Sequence, residues 1–172
     1  MKKTKVLALI PTRLGSTRLL SKPLLKIKKI PLIVHTYKRT ELSKLVSDII
    51  ICCDHKIIKN IAESFGAKVL LTSKKHKNGT ERIYEYVKSS ETNFNIVNMQ
   101  ADEPFTDHKL IDAIFKQLMD GNEIVTAVYE ISDNIIDPNR VKVVLDKNDF
   151  ALYFSRHEIP YNFSKKNKSK KN

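Results

Sequence analysis

Val6-Leu7-Ala8-Leu9-Ile10-Pro11-Thr12-Arg13-Leu14-Gly15-Ser16-Thr17-Arg18-Leu19-Leu20-Ser21-Lys22-Pro23 sets an apolar run against a polar, cationic turn. Val6 to Ile10 reads as the first strand. The turn behind it carries Arg13, Arg18 and Lys22 at the place where an α/β protein presents a phosphate-binding loop. Residue chemistry leaves two readings open, bound polyphosphate and solvated surface charge. The Gly-x-x-x-x-Gly-Lys-Ser/Thr loop of conventional ATPases and the dinucleotide glycine fingerprint are both missing from the sequence.

Outward from that stretch the chain alternates. Leu32, Ile33, Val34 and Tyr37 fit a helix over Leu32 to Glu41, and Val46 to Cys53 is the clearest buried strand. Asp54-His55 ends it and can cap a helix whose apolar face is Ile57, Ile58, Ile61, Ala62 and Phe65, closed by Gly66. A strand at Lys68 to Leu71 follows, then a helix entered at Gly79-Thr80-Glu81-Arg82. Phe94 to Met99 predicts a central strand, Leu110 to Leu118 a helical stripe, and Ile124 to Tyr129 another strand. Repeated strand–helix order implies an α/β fold, a mostly parallel sheet covered by helices on both faces. After Pro138 the pattern changes: Val141 to Leu145 and Phe150 to Phe154 flank Asp146-Lys147-Asn148-Asp149 as a hairpin or a pair of neighbouring strands.

With 172 residues the chain has room for one substantial core. No stretch reaches the roughly 20 apolar residues of a membrane span, and the basic start breaks at Pro11 without a secretory cleavage pattern. A cytoplasmic location is the expectation. The net charge of +12 favours polyanionic ligands, nucleotides included. Lys165, Lys166, Lys168, Lys170 and Lys171 supply part of it, in a polar tail that reads as disordered or as the end of a disrupted larger protein. Cys52 and Cys53 adjoin on a strand, so they face opposite ways and suit packing rather than metal binding or a disulfide. The five histidines are scattered and read as capping, surface or hydrogen-bonding residues. Asp102 follows a strand end directly and is the leading metal-ligand candidate, with a loop or helix-cap role as the alternative. Glu103 beside it reads as a turn organiser before Pro104, not as the second member of a catalytic carboxylate pair.

Several separated motifs together resemble the 3-deoxy-manno-octulosonate (Kdo) cytidylyltransferase family. They are Ile10 to Arg18, Lys22-Pro23-Leu24, Pro31 to His35, Asn78-Gly79-Thr80-Glu81-Arg82, Ile96 to Pro104, Pro138 to Val144, and Ala151 to Arg156 continuing through Ile159-Pro160. The resemblance implies a Rossmann-like nucleotidyltransferase sheet with a partial smaller β region. Residues 1–161 would form that domain, C-terminally incomplete, and residues 162–172 a basic tail. It implies transfer of CMP from CTP to Kdo with release of pyrophosphate, a step of lipopolysaccharide biosynthesis. On that likeness Arg13, Arg18 and Lys22 hold the phosphates, with Ser16 in the same loop. Gly79, Thr80 and Arg82 lie near the nucleotide, Gln100 beside the nucleotide and sugar, and Asp102 binds Mg²⁺. Arg13, Arg18, Lys22 and Asp102 are the catalytic set.

The same likeness implies CTP and Kdo as substrates, a homodimer, no stable nucleic-acid partner and no membrane insertion. Family members commonly carry glycine where this chain has Ala101, Pro-Gly where it has Leu20-Ser21, and serine where it has Asn78. They also continue into a C-terminal portion that supplies a further metal-binding aspartate and subunit contacts. Three other readings stay open: the first two are a noncatalytic CTP-binding remnant and a cytidylyltransferase for another acidic sugar. A basic nucleic-acid-binding module is the third.

Overall fold

The computed structural model describes residues 5–15, 21–90, 94–130 and 137–161. It groups the chain into two units, Met1–Thr126 and Ala127–Asn172. In the first, strands β1 (Val6–Thr12), β4 (Asp48–Cys53), β5 (Val69–Leu71) and β6 (Asn95–Asn98) form one sheet in the order β5-β4-β1-β6. Every pairing in it is parallel, with Leu7 opposite Asp48, Ile51 opposite Val69 and Val6 opposite Asn95. The expected parallel α/β fold is what forms.

Side-chain alternation along β1 decides which helix lies on which face. Val6, Ala8 and Ile10 point to one side, where they meet Ile33, Val34 and Tyr37 of α1 (Leu32–Thr40). Ile58 and Ala62 of α2 (Lys56–Ser64) and Ile111 and Phe115 of α4 (His108–Met119) complete that layer. Leu7 and Leu9 point to the other side and pack with Ile83, Tyr86 and Val87 of α3 (Gly79–Ser89). Each fully buried aliphatic side chain contributes about 1.5–3 kcal/mol by leaving water, so a strand apolar on both faces is stable only between two helical layers. Cys52 and Cys53 obey the same alternation: one joins each cluster, and both thiols are free. Burial, then the neighbouring Cys53 sulfur, pushes the Cys52 thiol up to about 12.

Helix ends follow from local chemistry. His55 rather than Asp54 caps α2, its Nδ1 accepting the Ile57 amide at 3.2 Å. Asn78 caps α3, its Oδ1 accepting the Glu81 amide at 2.9 Å, and Glu81 reaches back to accept the Lys77 amide at 2.8 Å, one residue before the cap. Asp107 caps α4 through the Lys109 amide.

Two departures from expectation stand out. Ile124 to Tyr129 forms no strand; an apolar run becomes one only by joining a ladder, and here Ile124 is 91% exposed. A small hairpin, β2 (Lys26–Ile27) with β3 (Ile30–Pro31), appears where none was expected. In the second unit β7 (Lys142–Leu145) and β8 (Ala151–Ser155) pair antiparallel, with Val143 opposite Phe154. That is the expected hairpin. Among the described residues no helix is long and apolar enough to cross a membrane.

Candidate active site

Strand order places the site. From β1 the chain moves outward to β4 and β5, then returns to lay β6 on the opposite side of β1. Loops leaving the carboxyl ends of β1 and β6 therefore diverge at the switch in strand order, where open α/β sheets bind their ligands. Arg13 and Lys22 leave by the first loop and Asp102 by the second.

These two loops meet. The Lys22 ammonium contacts Asp102 Oδ2 across 80 positions of sequence, and both side chains are about half exposed, at 40% and 46%. A cationic group that could engage a phosphate and a carboxylate that could engage a metal thus already share one point. Lys22 opens a short 3-10 turn, Lys22–Leu24, whose buried Pro23 anchors it. Ser21 before it takes the left-handed conformation, φ 55° and ψ 29°, which favours glycine. The glycine common in the family at this point has that backbone reason.

The Asp102 loop is held from α1. Thr36 donates its hydroxyl to the Ala101 carbonyl at 3.0 Å, from a side chain wholly out of solvent. The Met99 amide donates to the Leu9 carbonyl at 2.9 Å, extending the β1–β6 ladder to the loop's first turn. Glu103 donates its amide to the Gln100 carbonyl at 3.3 Å and takes the Thr106 amide on its own carbonyl, so it does organise the turn. Gln100 itself is exposed.

The Arg13 loop is held from below. The Leu14 amide donates to Asp54 Oδ1 at 2.9 Å, and Asp54 Oδ2 lies 3.8 Å from the Arg82 guanidinium. Arg82 is only 3% exposed and donates to Thr72 Oγ1 at 2.6 Å and the Ser73 carbonyl at 3.1 Å. Its guanidinium lies among protein partners, while Arg13, one residue from Leu14, is exposed. Gly79 opens α3 against the end of β1: a Cβ there would stand 2.9 Å from Pro11 Cγ. Thr80 beside it is exposed. Ser16 and Arg18 lie outside the described residues.

Sequence reading missed Asp54 as a loop anchor and Thr36 as a loop clamp. The signal for Asp54 was its place at the carboxyl end of β4, next to β1; Thr36 had none beyond being polar on an otherwise buried helix face.

Among the described residues no three His, Cys, Asp or Glu side chains converge on one point. Asp102 nevertheless suits a hard cation: it is a half-exposed oxygen donor that already faces an ammonium. Mg²⁺ is commonly held by one or two carboxylates, with substrate phosphates and waters filling the rest of its octahedron. The residues present fit that arrangement.

A family model described as cytidylyltransferase matches residues 7–171. The 3-deoxy-manno-octulosonate cytidylyltransferase of Thermodesulfovibrio yellowstonii is 39% identical over 169 residues, 92% of this chain and 66% of that protein. The enzyme of the same name from Francisella tularensis subsp. holarctica is 46% identical over 158 residues, 88% of this chain and 63% of the relative. The chain therefore spans about two thirds of the length of the curated relatives it matches. A solved CMP:2-keto-3-deoxy-manno-octonic acid synthetase complexed with CTP superposes with a TM-score of 0.81 at 29% identity, covering 95% of this chain and 68% of that one. A 4-diphosphocytidyl-2C-methyl-D-erythritol synthase shares the fold, with a TM-score of 0.56 at 18% identity.

Proposed function

We propose that this chain, which belongs to the cytidylyltransferase family, binds CTP at the diverging ends of β1 and β6 and transfers its CMP group to Kdo, forming CMP–Kdo for lipopolysaccharide biosynthesis. The observation that carries the reading is the meeting of Lys22 with Asp102 at that edge.

Arg13, Arg18 and Lys22 would bind the triphosphate, arginine as a directional fork and lysine as a mobile point charge. Ser16 lies in the same loop, and Gly79 and Thr80 line the nucleotide at the start of α3, where free backbone amides favour anions. Gln100 stands by the nucleotide and sugar. Asp102 would hold Mg²⁺, which when bound would supply Lewis-acid stabilisation of negative charge on phosphate oxygens. The anomeric oxygen of Kdo bonds to the α-phosphorus as the bond to the β-phosphate oxygen breaks. Pyrophosphate departs and the hydroxyl proton passes to solvent. Cationic side chains meet the charge that grows on the leaving oxygens, and fixed loops hold the reactants in line. On the same reading the protein works in the cytoplasm, as a homodimer.

Turnover tests this. The full chain is incubated with CTP, Kdo and Mg²⁺, and CMP–Kdo is measured by mass spectrometry alongside released pyrophosphate. Product that requires all three inputs is expected. CTP binding without product would overturn the catalytic claim in favour of a CTP-binding remnant, the second reading. Product with a different acidic sugar alone would replace Kdo as the acceptor. Asp102→Asn should abolish the metal dependence of nucleotide binding while the fold persists.

A further inference from the structure

We propose that Asp54 and Arg82 form a buried positioning pair, through which α3 sets the turn after β1 and hence the presentation of Arg13. The Leu14 amide ends on Asp54 Oδ1, 40 residues away, and the other carboxylate oxygen faces the Arg82 guanidinium at 3.8 Å. Their side chains are 14% and 3% exposed, so water screens the attraction little. Arg82 cannot follow a moving partner, because its Nη1 is fixed on Thr72 Oγ1 at 2.6 Å and the Ser73 carbonyl at 3.1 Å. Thr72 is fixed in turn: its amide and its hydroxyl both donate to the Cys53 carbonyl, at 2.7 and 2.8 Å. Three carboxyl-end segments, those after β1, β4 and β5, and the first turn of α3 are thereby tied to one carboxylate. Asp54 acts on Arg13 through the backbone of Leu14, the neighbouring residue whose amide it accepts.

A merely structural tie would stiffen the whole sheet edge, whereas a positioning pair acts on one amide. Single-residue hydrogen exchange separates these, with Met99, whose amide bonds to the Leu9 carbonyl at 2.9 Å, as internal control. The full chain is measured as wild type, Asp54→Asn, Arg82→Lys, Arg82→Gln and the Asp54→Asn/Arg82→Gln double variant. Arg82→Gln removes the 3.8 Å ion pair that holds the Asp54 carboxylate, and should raise exchange at Leu14 about tenfold relative to Met99 as the Leu14–Asp54 bond opens more often. Arg82→Lys keeps the charge without the fork and should fall between it and wild type. Asp54→Asn retains an oxygen acceptor and should show the smaller rise. Effects in the double variant should fall short of the summed singles. Leu14 exchange that rises only in step with Met99, or singles that add fully, would overturn the pair. This inference rests on the nucleotide reading for one readout only: CTP should bind several-fold more weakly to Arg82→Gln. A wild-type chain that binds no CTP sinks that reading, while the exchange ratio still decides the pair.

Discussion

Gly79→Ala places a methyl group where the structure has no room for it. The new Cβ would stand 2.9 Å from Pro11 Cγ and 3.2 Å from Pro11 Cβ, whereas ordinary contact begins near 3.4 Å. The start of α3 and the end of β1 must therefore part by about 0.5 Å, judged from that difference. A proline ring has no long side chain to swing away, so backbone has to move. Overpacking of this kind costs about 1–3 kcal/mol. Alanine's better helix propensity returns at most about 1 kcal/mol, and less at a helix start than in its interior. The net expectation is a loss of about 1–2 kcal/mol, read as a lower urea midpoint at unchanged slope. Pro11→Ala removes the closer of the two atoms, so the same glycine replacement in that background should cost clearly less. CTP affinity should fall with Gly79→Ala as the helix start withdraws from the site. A Gly79→Ala chain as stable as wild type, or an equal penalty in both backgrounds, would refute the reasoning.

Ser21 holds a left-handed conformation that disfavours any residue with a Cβ. Ser21→Gly should raise stability by about 0.5–1 kcal/mol after the added freedom of the unfolded chain is counted; a fall in urea midpoint would contradict this. Thr36→Val keeps the shape but leaves the Ala101 carbonyl without its 3.0 Å donor, and should cost about 1–2 kcal/mol in the same assay, against no change if the clamp is idle. The bond to His76, then the Ser73 amide, hold the Glu85 carboxyl below its usual 4.5. A group lowered on folding stabilises fully above its unfolded value and loses that contribution as pH falls through its folded value. Stability of the wild type should thus drop below pH 4.5, and Glu85→Gln should flatten that part of the curve. Identical slopes in the two chains would remove Glu85 from the account.

Legibility in the sequence followed the range of the interaction. Unbroken apolar runs in β1 and β4 announced strands covered on both sides, and the adjacent cysteines fell on opposite faces as period-two geometry requires. Helical stripes in α1 to α4 were equally plain because they depend on local spacing. Ile124 to Tyr129 shows the limit: its composition suits a strand, but composition supplies no partner. The β2–β3 hairpin hid because Lys28 and Lys29 make its turn at φ 48° and 70°, without the glycine or asparagine that usually marks such a turn. In the site, Arg13, Lys22 and Asp102 stood out as charges at strand ends. Asp54 read as a helix cap because its real partners, Leu14 and Arg82, lie far away in sequence on both sides. Arg82 reads through family likeness as lying near the nucleotide, and its bonds to Thr72 and Ser73 and its ion pair with Asp54 are visible only in the fold.

On the proposed function, the edge shared by Lys22 and Asp102 receives the triphosphate of CTP. Calorimetric titration of the wild-type chain and of Lys22→Met with CTP, and with ATP for comparison, tests it most directly. The wild type should prefer CTP to ATP. Lys22→Met should stay folded and bind CTP about tenfold more weakly or worse, as expected for loss of a charged hydrogen bond to phosphate. Equal CTP affinity in the two chains, or no preference for CTP over ATP, would contradict it.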